Sequence, residues 1–446
     1  MLKVIVIISL FCSLAIYAQD SIQGVDIDST MIDFADLQGA DSIYNLRKIN
    51  YDTRQLVVPK SKADVPMFNF EWMQQLKNET FDFQYIDRKS YQYYLESDWD
   101  RLTKLGNNAL SIGIDYKNLR KRMGYAYFMQ QKYYAAQMHY ERALAFDHTD
   151  TDVQLYLYYC SKDLGNDKSA GYYVSLMPTD KQTSINIKPF KIIDAVDFEY
   201  NYKSNDEPTN MRSEATFYRM GIGTKINNRL NVYLTASQYN QTVNITTPTL
   251  QTEFYGAMSW AASAHLNFDA AYHGVNTLVG TEAFLGNLYF GKISGTSSIF
   301  HYALSASTLS NKMGTFNQVS LNGGFTIPGK AGCRLSSTMN LLADSTSSRM
   351  VFSQSIGAQI LKPLWMEGTV TLGNLKNYND NNAMYLYNTL DATTFRAGVT
   401  AFLNVSKNFI LVGNYTYDIK EMKDIITNNI SNYNQHSISG GIIWKL

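Results

Sequence analysis

Any chemistry in this chain should begin with its six histidines, His139, His148, His265, His273, His301 and His436. None forms a metal-ligand cluster of the H-E-x-x-H kind. His265 and His273 are eight residues apart and would share one face of a single strand. Together with nearby Ser and Asn they could be drawn as a hydrolase inside a barrel wall. In a sequence this rich in Ser and Asn, such pairings arise by chance. The glycines of "GTEAFLGN" and "SLNGGFTIPG" lack the strand–loop–helix setting of a phosphate cradle and mark bends or turns. The expectation is a protein that is not an enzyme, with no catalytic residue, no metal ligand and no cofactor. A second set of residues carries charge: Arg219, Lys225, Glu367 and Arg396, each set among alternating apolar positions. They could select a solute by charge, or pair with one another and fill a narrow interior.

The element that positions those charges is an alternating strand. In "TFYRMGIGTKI" (216–226), Tyr218, Met220, Ile222 and Ile226 point one way; Arg219, Gly221, Gly223 and Lys225 point the other. "WMEGTVTLG" sets Met366, Val370 and Leu372 against Glu367, Thr369 and Thr371, and "TFRAGVTAFLNV" repeats the pattern around Arg396. Alternation alone also fits a soluble sandwich with one wet face. Here it runs for about 255 residues, from 192 to 446, with no helical segment and with strands mostly long enough to span a bilayer at a tilt. Connections look alternately short (near 227, 327–331, 362–364 and 406–408) and longer and polar (204–214, 242–250, 274–285, 376–391 and 419–434). That asymmetry is expected of an outer-membrane barrel with tight periplasmic turns and longer outer loops. About 14 strands can be counted, an even number that returns the C-terminus to the periplasmic side; 286–309 is the weakest stretch. The final "HSISGGIIWKL" places Ile438, Ile442, Trp444 and Leu446 on one apolar face. It should pair with the first strand and turn that face to lipid, because only a closed sheet satisfies its backbone in hydrocarbon.

Composition agrees. The 39 basic and 39 acidic residues balance and form no basic patch, which argues against nucleic acid. Charged residues are 17% of the chain, against roughly 25% in soluble proteins, while aromatics reach 13% with 33 tyrosines. "MLKVIVIISLFCSLAIYA" (1–18) reads as a secretory signal peptide, with Lys3 before an apolar core and Ala18 at the cut. Its removal leaves only Cys160 and Cys333, in different domains, so no disulfide framework is expected. Residues 19–82 read as a partly ordered periplasmic leader.

Between 83 and 184 the period is helical and repeats every 34 residues. The clearest copy is "KNLRKRMGYAYFMQQKYYAAQMHYERALAFDHTD" (117–150). Gly124, Tyr127, Tyr133, Ala136, Tyr140 and Ala143 supply its small and large residues, and Tyr93 and Trp99 match Tyr127 and Tyr133 one repeat earlier. Gly124 and Ala136 allow close helix approach while the tyrosines fill the space beside them. Gly106 stands where the aromatic of 140 would be.

These residues resemble the tetratricopeptide-repeat family. The whole arrangement resembles outer-membrane tetratricopeptide–barrel proteins of Bacteroidota-type bacteria and is similar to exopolysaccharide exporter barrels. The expected fold is multidomain α + β: signal peptide (1–18), leader (19–82), helical repeats (83–184), linker (185–191) and an antiparallel transmembrane β-barrel (192–446). The resemblance implies periplasmic repeats that recruit an envelope partner and a barrel that anchors or passes a substrate. The alternative is a structural adaptor with a closed barrel. Further expected partners are outer-membrane lipid and the barrel-assembly machinery, whose C-terminal signal Ile442, Trp444 and Leu446 resemble.

Overall fold

The computed structural model describes residues 83–206, 212–297, 299–327, 332–388, 391–423 and 430–446. The signal peptide and the leader lie outside the described residues. The chain divides into a helical unit and a barrel unit.

The helical unit opens with α1 (Phe83–Leu95), α2 (Trp99–Ser111), α3 (Lys117–Met129), α4 (Tyr133–Phe146), α5 (Thr151–Asp163) and α6 (Asp167–Leu176), and the short α7 (Thr179–Ser184) follows. Helices α1, α3 and α5 begin at 83, 117 and 151, and α2, α4 and α6 at 99, 133 and 167, so each set advances by 34 residues. Polar caps fix several starts: Asp98, Asp150 and Asn166 accept the backbone N–H of Arg101, Val153 and Ser169. Where side chains are small, they are small because something large is adjacent. A Cβ on Gly124 would sit 3.0 Å from three ring carbons of Tyr140, which is fully buried. Gly106 is explained likewise, since a Cβ there would lie 2.3 Å from the sulfur of Met123. Inside the unit, Arg122 reaches Asp87 at 2.7 Å, and the Tyr116 hydroxyl donates to the same carboxylate at 3.0 Å.

The barrel unit has fourteen wall strands and one small ribbon. The wall is β1 (Lys191–Asn205), β2 (Arg212–Lys225), β3 (Leu230–Val243), β4 (Thr247–Ala261), β5 (Leu266–Val279), β6 (Glu282–Ser297), β7 (Phe300–Asn311), β8 (Gly314–Thr326), β9 (Arg334–Ala343), β10 (Ser348–Leu361), β11 (Leu364–Leu372), β14 (Ala392–Asn404), β15 (Phe409–Lys423) and β16 (Ile430–Lys445). The ribbon is β12 (Asn379–Asp380) with β13 (Tyr385–Leu386). Neighbours along the wall pair antiparallel, and β16 closes the ring against β1, from Ala195 opposite Lys445 to Asn205 opposite Gln435. Trp444 therefore lies between Val196 and Phe409.

The wall is inside-out relative to a water-soluble barrel. Met220 and Ile438 are each 63% exposed, and Leu234, Phe254, Tyr289, Leu321 and Met350 share the outer face. Asn201, Ser237, Gln251, Asp269, Gln318, Asn340 and Gln435 are buried on the inner one. Among the described residues no helix is long and apolar enough to cross a membrane; strands are the elements that fit one.

Connection lengths differ from the sequence expectation. Most segments read as longer outer loops are strand: β3 runs to Val243, β5 to Val279, and β16 begins at Ile430. Strands that project past the apolar band meet water on both faces there, lose their alternation and resemble loops. Among the described residues one long connection remains, between β11 and β14, and its residues 373–388 do not extend outward.

Candidate functional site

Residues 373–388 turn into the barrel. Leu375 and Tyr378 are buried against Leu342 and Val351, and Ala383 against Leu288 and Leu309. The ribbon's turn is made by Asn381, Asn382 and Ala383, whose φ values of 49°, 57° and 67° are left-handed, a conformation asparagine tolerates better than most residues. Side chains of the wall stitch the segment in place. Asn379 donates to Ser307 Oγ at 2.8 Å and to Gln318 Oε1 at 3.0 Å, and Gln318 returns a bond to the Asn379 carbonyl at 3.0 Å. Lys292 donates to Asn382 Oδ1 at 2.6 Å, the Tyr255 hydroxyl to the Asn382 carbonyl at 3.0 Å, and Asn388 to Gln251 Oε1 at 2.9 Å. The Tyr385 hydroxyl donates to Glu199 Oε2 at 3.0 Å, and Arg396 donates to the Tyr387 hydroxyl at 2.6 Å.

Beside the segment a cavity of about 870 Å³ remains, bounded by Tyr385 and Tyr387 and by the wall strands β1–β7, β11 and β14–β16. Its charges are ordered in pairs. Arg219 meets Glu199 at 2.8 Å with its guanidinium 5.0 Å over the Tyr385 ring. Arg212 grips Asp391 with two bonds, 2.7 and 3.0 Å, and Tyr433 donates to the same carboxylate at 2.9 Å. Arg396 lies 3.6 Å from Asp418. Lower down, the Tyr233 hydroxyl contacts both oxygens of Asp197, at 2.8 and 2.9 Å. Gly221 makes that contact possible, because a Cβ there would fall 2.4 Å from Asp197 Oδ2.

The residues singled out in the sequence are placed as follows. Arg219, Glu367 and Arg396 line the cavity, two of them ion-paired. Lys225 is half-buried at the end of β2, away from the cavity lining. Ile442, Trp444 and Leu446 are exposed on the outside. Gly124, Ala136, Tyr140 and Ala143 are interior to the helical unit and set its packing, so they offer no surface to a partner. Tyr127 stacks on His139 at 5.2 Å, and Tyr93 carries the Arg101 guanidinium at 6.0 Å. Trp99 and Tyr133 join an aromatic row with Tyr94, Tyr125, Phe128 and Tyr156, all half-buried.

The histidine pair does not share a strand face. His265 sits in the turn before β5, where a tight connection takes over from the alternation. His273 is fully buried inside the barrel, with Nδ1 2.8 Å from the Ala383 carbonyl and Nε2 3.4 Å from Glu253. The nearby Ser237 hydroxyl donates to Glu253 at 2.8 Å rather than to the imidazole. A serine nucleophile needs a base to take its proton, and here the hydroxyl is spent on a carboxylate. Among the described residues no group of three His, Cys, Asp or Glu could hold a metal ion.

Fold and lumen together define a closed 14-stranded antiparallel barrel with a lipid-type exterior and a polar interior partly occupied by its own connection. No known protein family and no curated protein matches the sequence. Solved structures similar to it include the outer membrane protein Omp33 of Acinetobacter baumannii, at 7% identity and TM-score 0.33, covering 57% of this chain and 99% of that one. A bacterial polysaccharide outer membrane secretin matches at 7% identity and TM-score 0.36, with 57% and 99% covered. A FadL homologue of Pseudomonas aeruginosa matches at 8% identity and TM-score 0.37, with 64% and 94% covered.

Proposed function

We propose that this protein is an outer-membrane channel for a small polar solute, carrying a tetratricopeptide-like unit on its periplasmic side that recruits an envelope partner. The observation that carries the channel reading is the cavity of about 870 Å³ beside the inserted segment, lined by ionised and hydroxylated side chains within a closed apolar-faced wall. A barrel that served only as an anchor would have no reason to keep charged groups along an internal space, because ionised groups are costly to bury. The 34-residue spacing of helix starts supports the repeat reading of the helical unit.

A second reading has its own support. The segment is bonded to the wall at many points, as in an anchor barrel closed by a plug, which would leave the helical unit as the working part. Planar-bilayer recording of the purified full chain separates the two. Stable, stepwise conductance supports the channel. Absence of conductance from protein that migrates as a folded barrel before heating and as an unfolded chain after it rejects the channel in favour of the anchor.

A further inference from the structure

On one wall of the cavity two ammonium groups stand outside the ion pairs. Along β1, β2 and β14–β16, with Asp391 just ahead of β14, each carboxylate lining the cavity has a partner already: Glu199 has Arg219, Asp391 has Arg212, Asp418 has Arg396, and Asp197 has the Tyr233 hydroxyl. Asp380, from the inserted ribbon, lines the same cavity. Five carboxylates and five cations line this wall, yet two of the cations lie outside the ion pairs. Lys203 and Lys420 line the same cavity and, among the described residues, make no ion pair and no hydrogen bond. Lys420 is only 6% exposed, and the Tyr239 ring lies 5.8 Å from the Lys203 ammonium.

A third unsatisfied donor lies beside Lys203. Ser437 is opposite Lys203 across β1 and β16 and opposite Thr416 across β16 and β15; it is fully buried, and its hydroxyl has no partner. Arg396 reaches Thr416 Oγ1 at 3.3 Å, so the row continues into a guanidinium. Buried donors without acceptors cost free energy, and ammonium groups so placed call for an anion. Lysine and serine can each meet an oxygen acceptor, and Tyr239 and Tyr387 line the same cavity.

We propose that Lys203, Lys420 and the Ser437 hydroxyl form a binding site for an oxyanion group, carboxylate or phosphate, of a solute that occupies the cavity. The site deepens the channel reading by naming the class of solute, yet it requires only the closed lumen. The test is calorimetric titration of the full chain in detergent micelles with inorganic phosphate and with D-glucuronate, using D-glucose as the neutral control. Saturable binding of either anion and none of glucose is expected. Phosphate binding means that the bare oxyanion suffices, and binding of glucuronate alone means that the ring contacts are needed. The double variant Lys203→Gln/Lys420→Gln should weaken affinity about tenfold or more, because each ammonium acts at close range in a partly dry site. Lys162→Gln, at the exposed Lys162–Asp167 pair of the helical unit, should leave affinity unchanged. Failure of both anions to bind folded wild type, or equal affinity in the double variant, overturns the site. Bilayer recordings on the same preparations keep the two ideas apart. Binding without conductance keeps the site and removes the channel; conductance without binding does the reverse.

Discussion

Removing the inserted segment should widen the conducting path, and the barrel's geometry sets by how much. With strands about 4.8 Å apart and tilted by about 40°, fourteen of them close on a backbone radius of about 14 Å. Inward side chains take roughly 6 Å of that, so an empty lumen has a radius of about 8 Å and, over an apolar band about 25 Å tall, encloses about 5000 Å³. The cavity beside the segment is about 870 Å³, near one sixth of that figure. Replacing residues 376–388 by Gly-Ser-Gly should therefore raise single-channel conductance about three- to sixfold, since conductance follows open cross-section. The variant exposes Leu288, Leu309, Leu342 and Val351 to the lumen, so its folding must be checked first by heat-dependent migration on a gel. Unchanged or smaller conductance from a folded variant would refute the reasoning, because the segment would then not occupy the path.

Other expectations concern the rest of the chain. Burial first, and the Arg120 guanidinium beside it second, lower the His139 pKa from 6.5 to about 4. A base with a depressed folded pKa binds its proton more readily unfolded, so its stabilisation is full above pH 6.5 and falls as pH drops towards 4. The loss for this buried ring amounts to about 3 kcal/mol, and melting of the helical signal at pH 7, 5.5 and 4 should show it; an equal slope in His139→Phe would remove His139 as its source. Arg122→Met leaves Asp87 buried without its cation and should cost about 3–5 kcal/mol, whereas Asp87→Asn/Arg122→Met should recover part of that loss in the same melts. Met220→Arg puts a charge on the outer face near the middle of β2 and should cost about 2–4 kcal/mol in refolding titrations from urea into lipid vesicles; Gly221→Ser, on the inner face, would test instead the contact between Asp197 and Tyr233.

The strands and their number were legible because lipid and lumen impose opposite demands on alternate residues, as at Met220 and Arg219. The 34-residue helical period was legible because Gly124 and Ala136 must be small where helices meet. The weak stretch 286–309 has a definite cause. Leu288 and Leu309 point inward yet are apolar, since they receive Ala383 of the inserted segment, and this erases the alternation. Apolar residues on an otherwise polar inner face were thus the signal for an insertion, and Leu375 and Tyr378 in a loop otherwise rich in Asn were its counterpart. Lys203 and Lys420 escaped notice because they stand near the polar ends of β1 and β15, where sequence cannot separate strand from loop. The ribbon's contacts link positions 61 to 186 residues apart, and no local pattern encodes a pairing of that range.

The small ribbon also has a mechanical role. Six strands lie between β1 and β8 either way around the ring of fourteen, so the two lie on opposite sides of the tube. The ribbon joins them, with Asn379 bound to Gln318 of β8 at one end and Tyr385 bound to Glu199 of β1 at the other. A thin-walled tube is soft towards flattening into an ellipse, and a cross-tie along one diameter resists elongation of that axis. The ribbon is such a tie rod, fixing the roundness of the barrel as well as filling it.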